Sequence, residues 1–175
     1  MNPAEANKYA TLERLPDSDI YVLTLQSKIM DVPMTRAIHH HLDTLELTTG
    51  PCCMISTASH PKIFSAGLDF NTFKGHPIEV HNRLREIARL FGRMLQLPFP
   101  TISAINGECY AGGYMFATTH DFRFMRDDYG KICLPEINLG IPLPRAFNAV
   151  VQARVPIQHY SKMALLGKKY SPQEA

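Results

Sequence analysis

Along this chain the spacing of apolar positions changes several times, and each change marks an element. IYVLTLQ (Ile20 to Gln26) and CCMISTAS (Cys52 to Ser59) are short apolar or β-branched runs bounded by turn residues. PTISAING repeats that character around Ile102 to Ile105, and all three predict strands. Pro33 to Leu47 predicts a helix. Val80, Leu84, Ile87, Phe91 and Met94 follow a 4-3-4-3 spacing that draws one apolar stripe, with Arg83, Arg85, Glu86, Arg89 and Arg93 largely off it, until Pro98 and Pro100 end the helix. Further on, Tyr114 to Thr119 predicts a short buried helix, Asp121 to Arg126 and Lys131 to Leu134 predict strands, and Arg145 to Arg154 and Gln158 to Leu166 predict helices. Asp127 and Asp128, with Tyr129 and Gly130, predict a hairpin turn between those two strands. Strands separated by helices imply an α/β fold of units joined by right-handed crossovers. No repeat or linker divides the chain, so residues 1–175 are expected to form one domain, with 1–18 an irregular lead-in.

Two small-residue turns interrupt this pattern. IFSAGLDF carries Ala66-Gly67, and AINGECYAGGYMFATTHDFRF carries Ala111-Gly112-Gly113. The second follows a predicted strand and opens a predicted helix, so its first N–H groups have no intrahelical acceptor and lie at the positive end of the helix dipole. Two such turns aimed at one point would supply paired N–H donors to a developing oxyanion, each worth roughly 3 to 4 kcal/mol in the transition state. Tight packing alone also produces glycine pairs at such turns.

Composition narrows the alternatives. The formal charge of +2 is too small, and the Lys and Arg residues too scattered, to mark a nucleic-acid surface. Four cysteines without a C-x-x-C pair suit a reducing compartment and neither a disulfide framework nor a zinc site. No apolar run reaches the length of a membrane span, and MNPAEANKYATLERL and YSPQEA carry no recognisable targeting pattern. His39, His40 and His41 run consecutively in a predicted helix, fan out around its axis and are expected at the surface, with no metal. His120 is expected to be a packed structural histidine, and Lys62, Lys74 and Arg83 are candidates for meeting phosphates.

Taken in order, FSAGLD, PTISAING-x-x-x-AGG, HDFRFM and LPEINLGI-x-LP resemble the crotonase family, the enoyl-CoA hydratase/isomerase superfamily, and within it the Δ3-Δ2-enoyl-CoA isomerases. That resemblance implies a spiral of ββα units and an acyl-CoA thioester substrate, with no cofactor beyond the coenzyme A of that substrate. It also implies an oxyanion hole made by the backbone N–H groups of Ala66 and Gly112. Family members carry acidic residues at two places. Here the first is Met115 and the second is Glu136, so a two-carboxylate hydration is disfavoured and a single-base isomerisation is expected, with Glu136 as the proton shuttle. Leu68, Phe70 and Met115 are expected in the pocket wall, and Asp69 as a cap of the following turn. The resemblance further implies β-oxidation, a mitochondrial or peroxisomal matrix, homotrimers, and helices beyond the segment matching KKYSPQEA, so the fold is expected to be truncated at its C-terminus. Two alternatives remain open: a structural subunit of a larger assembly with little catalysis, and other acyl-CoA chemistry such as a hydratase or thioesterase.

Overall fold

A computed structural model describes all residues from Met1 to Ala175. Its organising motif is a strand for one sheet, a strand for a second sheet, then a helix, wound repeatedly. A short helix α1 (Pro3–Ala6) leads into β1 (Ala10–Arg14), which pairs antiparallel with β2 (Ile20–Leu25). Then come β3 (Ile29–Met30) and α2 (Val32–Glu46), followed by β4 (Cys53–Ala58), β5 (Ile63–Ser65), β6 (Gly67–Leu68), a 3₁₀ turn at Phe70–Phe73 and α3 (Pro77–Met94). The third winding is β7 (Thr101–Ile105), β8 (Glu108–Tyr110) and α4 (Gly112–Thr118). The fourth is β9 (Phe122–Met125), β10 (Ile132–Cys133), a 3₁₀ turn at Glu136–Leu139 and α5 (Arg145–Arg154), with α6 (Ile157–Leu166) after it.

β1 and the first strands of the four windings (β2, β4, β7 and β9) build one sheet in the order β1-β2-β4-β7-β9, parallel throughout except for β1. The second strands form two smaller groups, β10-β8-β5 and β3-β6, all parallel. This is the ββα spiral that the crotonase resemblance implies, and its parallel pairings require the helical crossovers that the chain supplies.

Local chemistry starts and stops the helices. Asp31 caps α2, accepting from the Met34 N–H at 2.8 Å, and Met34, Ala37, Ile38, Leu42 and Leu45 form its buried face. In α3 the predicted stripe buries Ile87, Phe91 and Met94, joined by Leu90, while Val80 and Leu84 remain partly exposed. Arg93, off that stripe, ties α3 to α2 through Asp43 (2.7 Å) and Glu46 (2.9 Å). No helix is long and apolar enough to cross a membrane.

Three expectations are corrected. Residues 1–18 are no irregular lead-in, because α1 and β1 lie there and β1 forms an edge of the large sheet. The Asp127–Gly130 segment is no hairpin: β9 pairs with β7 and β10 with β8, so the turn carries the chain from one sheet to the other. His41 is buried, its Nε2 2.8 Å from the Ala10 carbonyl oxygen, because it lies on the face of α2 that packs on β1.

Candidate active site

The two glycine turns meet. Gly67 has φ +98°, and a Cβ built on it would fall 2.6 Å from the Ala111 Cβ and 3.0 Å from the Gly112 nitrogen. A Cβ on Gly112 would fall 2.7 Å from the Leu68 side chain and 3.3 Å from the Leu68 nitrogen. Glycine at both positions is what lets the strand end at β6 and the start of α4 approach this closely. Ala111, just before α4, adopts φ 51° and ψ −129°, which few alanines occupy, at a local cost of roughly 1 to 3 kcal/mol.

Beneath this junction lies a cavity of about 180 Å³. All six residues expected at the site line it: Ala66, Leu68, Phe70, Gly112, Met115 and Glu136. Its remaining wall comes from Phe73, Ala111 and Pro135, from Leu139 to Pro144 in part, and from Phe147 on α5. None of these was expected in the wall, although the apolar, proline-rich run LGIPLPRAF that begins three residues after Glu136 was the available signal.

The directions of the N–H groups require one correction. Ala66 lines the cavity, yet its N–H is committed to the Lys28 carbonyl at 2.7 Å, so it is not a donor to a ligand. The Asp69 N–H faces β3, donating to Met30 (3.3 Å), and the alternation of an extended strand turns the preceding amide, that of Leu68, to the opposite side. That side is where Gly112 lies. Gly112 is the first residue of α4, and its N–H has no intrahelical acceptor. The amide next to Gly112 is thus that of Leu68, while that of Ala66 is taken up by Lys28.

Glu136 opens the 3₁₀ turn after Pro135 and is buried. Burial pushes its carboxyl above the ordinary value, opposed only by its own backbone N–H, and its Oε2 has no hydrogen-bond partner. It is the only ionisable side chain lining the cavity. Its chemistry is that of a carboxyl able to take and return a proton in an apolar surround.

Nearby polar residues have other work. Asp69 accepts from the Asn71 N–H at 3.0 Å and caps the Phe70–Phe73 turn. Arg83 holds the same segment by donating to the carbonyls of Thr72 (3.2 Å) and Lys74. The Lys74 ammonium stands 5.9 Å from the centre of the Phe70 ring, beside the cavity, whereas Lys62 stands over Tyr129, which does not line it. His120 is in the core, bonded at both ring nitrogens.

Comparison with known proteins agrees with this architecture. The family model described as Enoyl-CoA hydratase/isomerase matches residues 40–175. The chain is 33% identical over 171 residues to enoyl-CoA delta isomerase 3 of Arabidopsis thaliana, covering 94% of this chain and 72% of that protein. It is 34% identical to the peroxisomal enoyl-CoA delta isomerase 2 of the same plant and 32% identical to the human mitochondrial enoyl-CoA delta isomerase 1. Each match covers 70% of this chain, and they span 54% and 41% of those proteins. Among solved structures, an enoyl-CoA hydratase from Thermoplasma volcanium superposes with a TM-score of 0.84 at 23% identity, over 95% of this chain and 67% of the other. With the fold, the motif order and a family match over most of its length in agreement, the chain belongs to the enoyl-CoA hydratase/isomerase family.

Proposed function

We propose that the protein is a Δ3-Δ2-enoyl-CoA isomerase. The observation that carries this reading is the single ionisable group, Glu136, in an otherwise apolar cavity lined also by Leu68 and Gly112. Glu136 takes a proton from C2 of a 3-enoyl thioester. The electrons move onto the thioester oxygen, giving a dienolate that the Leu68 and Gly112 N–H groups stabilise as its charge develops. The same carboxyl then returns the proton at C4, and the double bond ends between C2 and C3. The reaction is redox-neutral and needs no cofactor beyond the coenzyme A carried by the substrate. A carboxyl raised by burial suits both halves, since it is a stronger base when ionised and stays protonated long enough to give the proton back. Met115, buried in the wall, keeps water from the dienolate, and hydration would need a second polar group to hold its water.

The relatives named as isomerases support this chemistry, and similarity to a fatty acid oxidation complex subunit alpha of a Psychrobacter strain supports a place in fatty-acid β-oxidation. The peroxisomal and mitochondrial labels of the relatives support one of those compartments. A second reading, a non-catalytic subunit of a larger assembly, is favoured by exposed Ile157, Leu165 and Leu166 on α6. The deciding experiment is incubation of the purified protein with 3-enoyl-CoA while following the conjugated 2-enoyl thioester, beside Glu136→Gln. Conversion by the parent and its loss in the variant supports the isomerase. No conversion by a folded parent removes the isomerase and puts the structural subunit first.

A further inference from the structure

We infer that Phe147 is the floor of the cavity and limits the acyl group to a short chain; this rests on the acyl-CoA reading above. Exposure along the wall gives the cavity a direction. Phe70 and Leu139 are 56% and 57% exposed and form the mouth, whereas Met115 and Phe147 are each 2% exposed and form the inner end. Phe147 projects from α5, and its ring centre lies 5.2 Å from that of Phe91 on the buried face of α3. Behind the floor is therefore packed core between two helices.

Volume sets the scale of the limit. A protein cavity of about 150 Å³ takes a benzene-sized guest, so about 180 Å³ takes roughly six to seven heavy atoms. The reacting segment from the thioester carbonyl to C4 already takes most of them. A six-carbon acyl group reaches the floor, and a long chain has to displace it.

The variant that removes the floor is Phe147→Ala. Because a buried phenylalanine is lost and the fold is weakened, Phe147→Leu is made beside it. The readouts are kcat/KM for 3-hexenoyl-CoA and 3-dodecenoyl-CoA, and Kd for the unreactive hexanoyl-CoA and dodecanoyl-CoA by calorimetry. The parent is expected to favour the shorter ester roughly tenfold or more in both readouts, since even one methylene without room is worth about that factor. Phe147→Ala is expected to reduce the preference to within about threefold, and Phe147→Leu to fall between. A parent indifferent to length, or folded variants that keep its preference, would overturn the floor assignment. Length-dependent binding without turnover by the parent sinks the isomerase reading and leaves the floor intact. Failure of both saturated esters to bind overturns the floor assignment as well.

Discussion

Two titratable groups are buried on either side of the short helix α4, and they are treated in opposite ways. His120, just beyond its C-terminal end, has Nδ1 3.0 Å from the Phe116 carbonyl oxygen and Nε2 2.8 Å from the Ser56 hydroxyl, and burial pushes its pKa down to about 4. Glu136, in the cavity that the N-terminal end of α4 also lines, leaves one carboxylate oxygen without any partner, and burial pushes its pKa up. Desolvation disfavours the charged form of both, but only one has its polar atoms satisfied. A buried group fully bonded within the protein belongs to the architecture; one left unbonded against a cavity is available to whatever enters.

Substitution should break this contrast in two different currents of effect. Glu136→Gln should lower kcat by roughly a thousandfold, within the usual span for a lost general acid/base, while calorimetry still finds acyl-CoA bound. The same variant should melt higher than the parent at neutral pH. A raised carboxyl means that the folded state holds protons the unfolded state has released, so stability falls as pH climbs from about 4.5 through the folded value, and glutamine removes that loss. Below about pH 4.5 the melting difference should vanish.

His120→Ala should act on stability instead, costing about 2 to 4 kcal/mol in urea unfolding by leaving a hole and an orphaned Ser56 hydroxyl, with kcat of the folded fraction near the parent's. Its pH signature is the reverse of that of Glu136. The unfolded state takes up the proton first, so the parent loses stability as pH falls from 6.5 towards about 4, and a neutral Gln at this position should flatten that slope.

Between the two stands Gly112→Ala. Its Cβ would push on the Leu68 side chain and sit 3.3 Å from the Leu68 nitrogen, displacing one of the proposed donors, so kcat should fall about tenfold to a hundredfold with a smaller change in melting. Smallest of all, Asp69→Ala should cost only about 0.5 to 1 kcal/mol on thermal unfolding, as a lost cap of one 3₁₀ turn at the cavity's edge. A large fall in kcat for Asp69→Ala would show that the edge is held as tightly as the centre.

What the sequence reveals follows the range of the forces involved. The α3 stripe, the strands at Ile20 and Ile102 and the Pro-Glu segment are written in local spacing, and Glu136 and Gly112 stand out from it. β1 does not, because ATLER is half-exposed and mixes charges with its apolar positions. Nor does β8, a strand of three residues held by neighbours on both sides. The direction of the Ala66 amide is hidden as well, because it is set by the Lys28 carbonyl, which lies 38 positions upstream of the AGLD segment. Phe147 enters the cavity from a helix beyond the motif, so only tertiary packing brings it there.

The winding of the chain sets the order in which the site can come into being. Lys28 fixes the Ala66 amide, Leu68 and Gly112 come from the second and third windings, and Glu136 and Phe147 from the fourth. Parallel pairings between such distant segments close large loops and form slowly. During synthesis from the N-terminus, a nascent chain could complete β1, β2 and β4 and still have no pocket. On the proposed function, acyl-CoA binding should therefore appear only after residue 147 has left the ribosome, and a pulse-chase with immobilised acyl-CoA would time it.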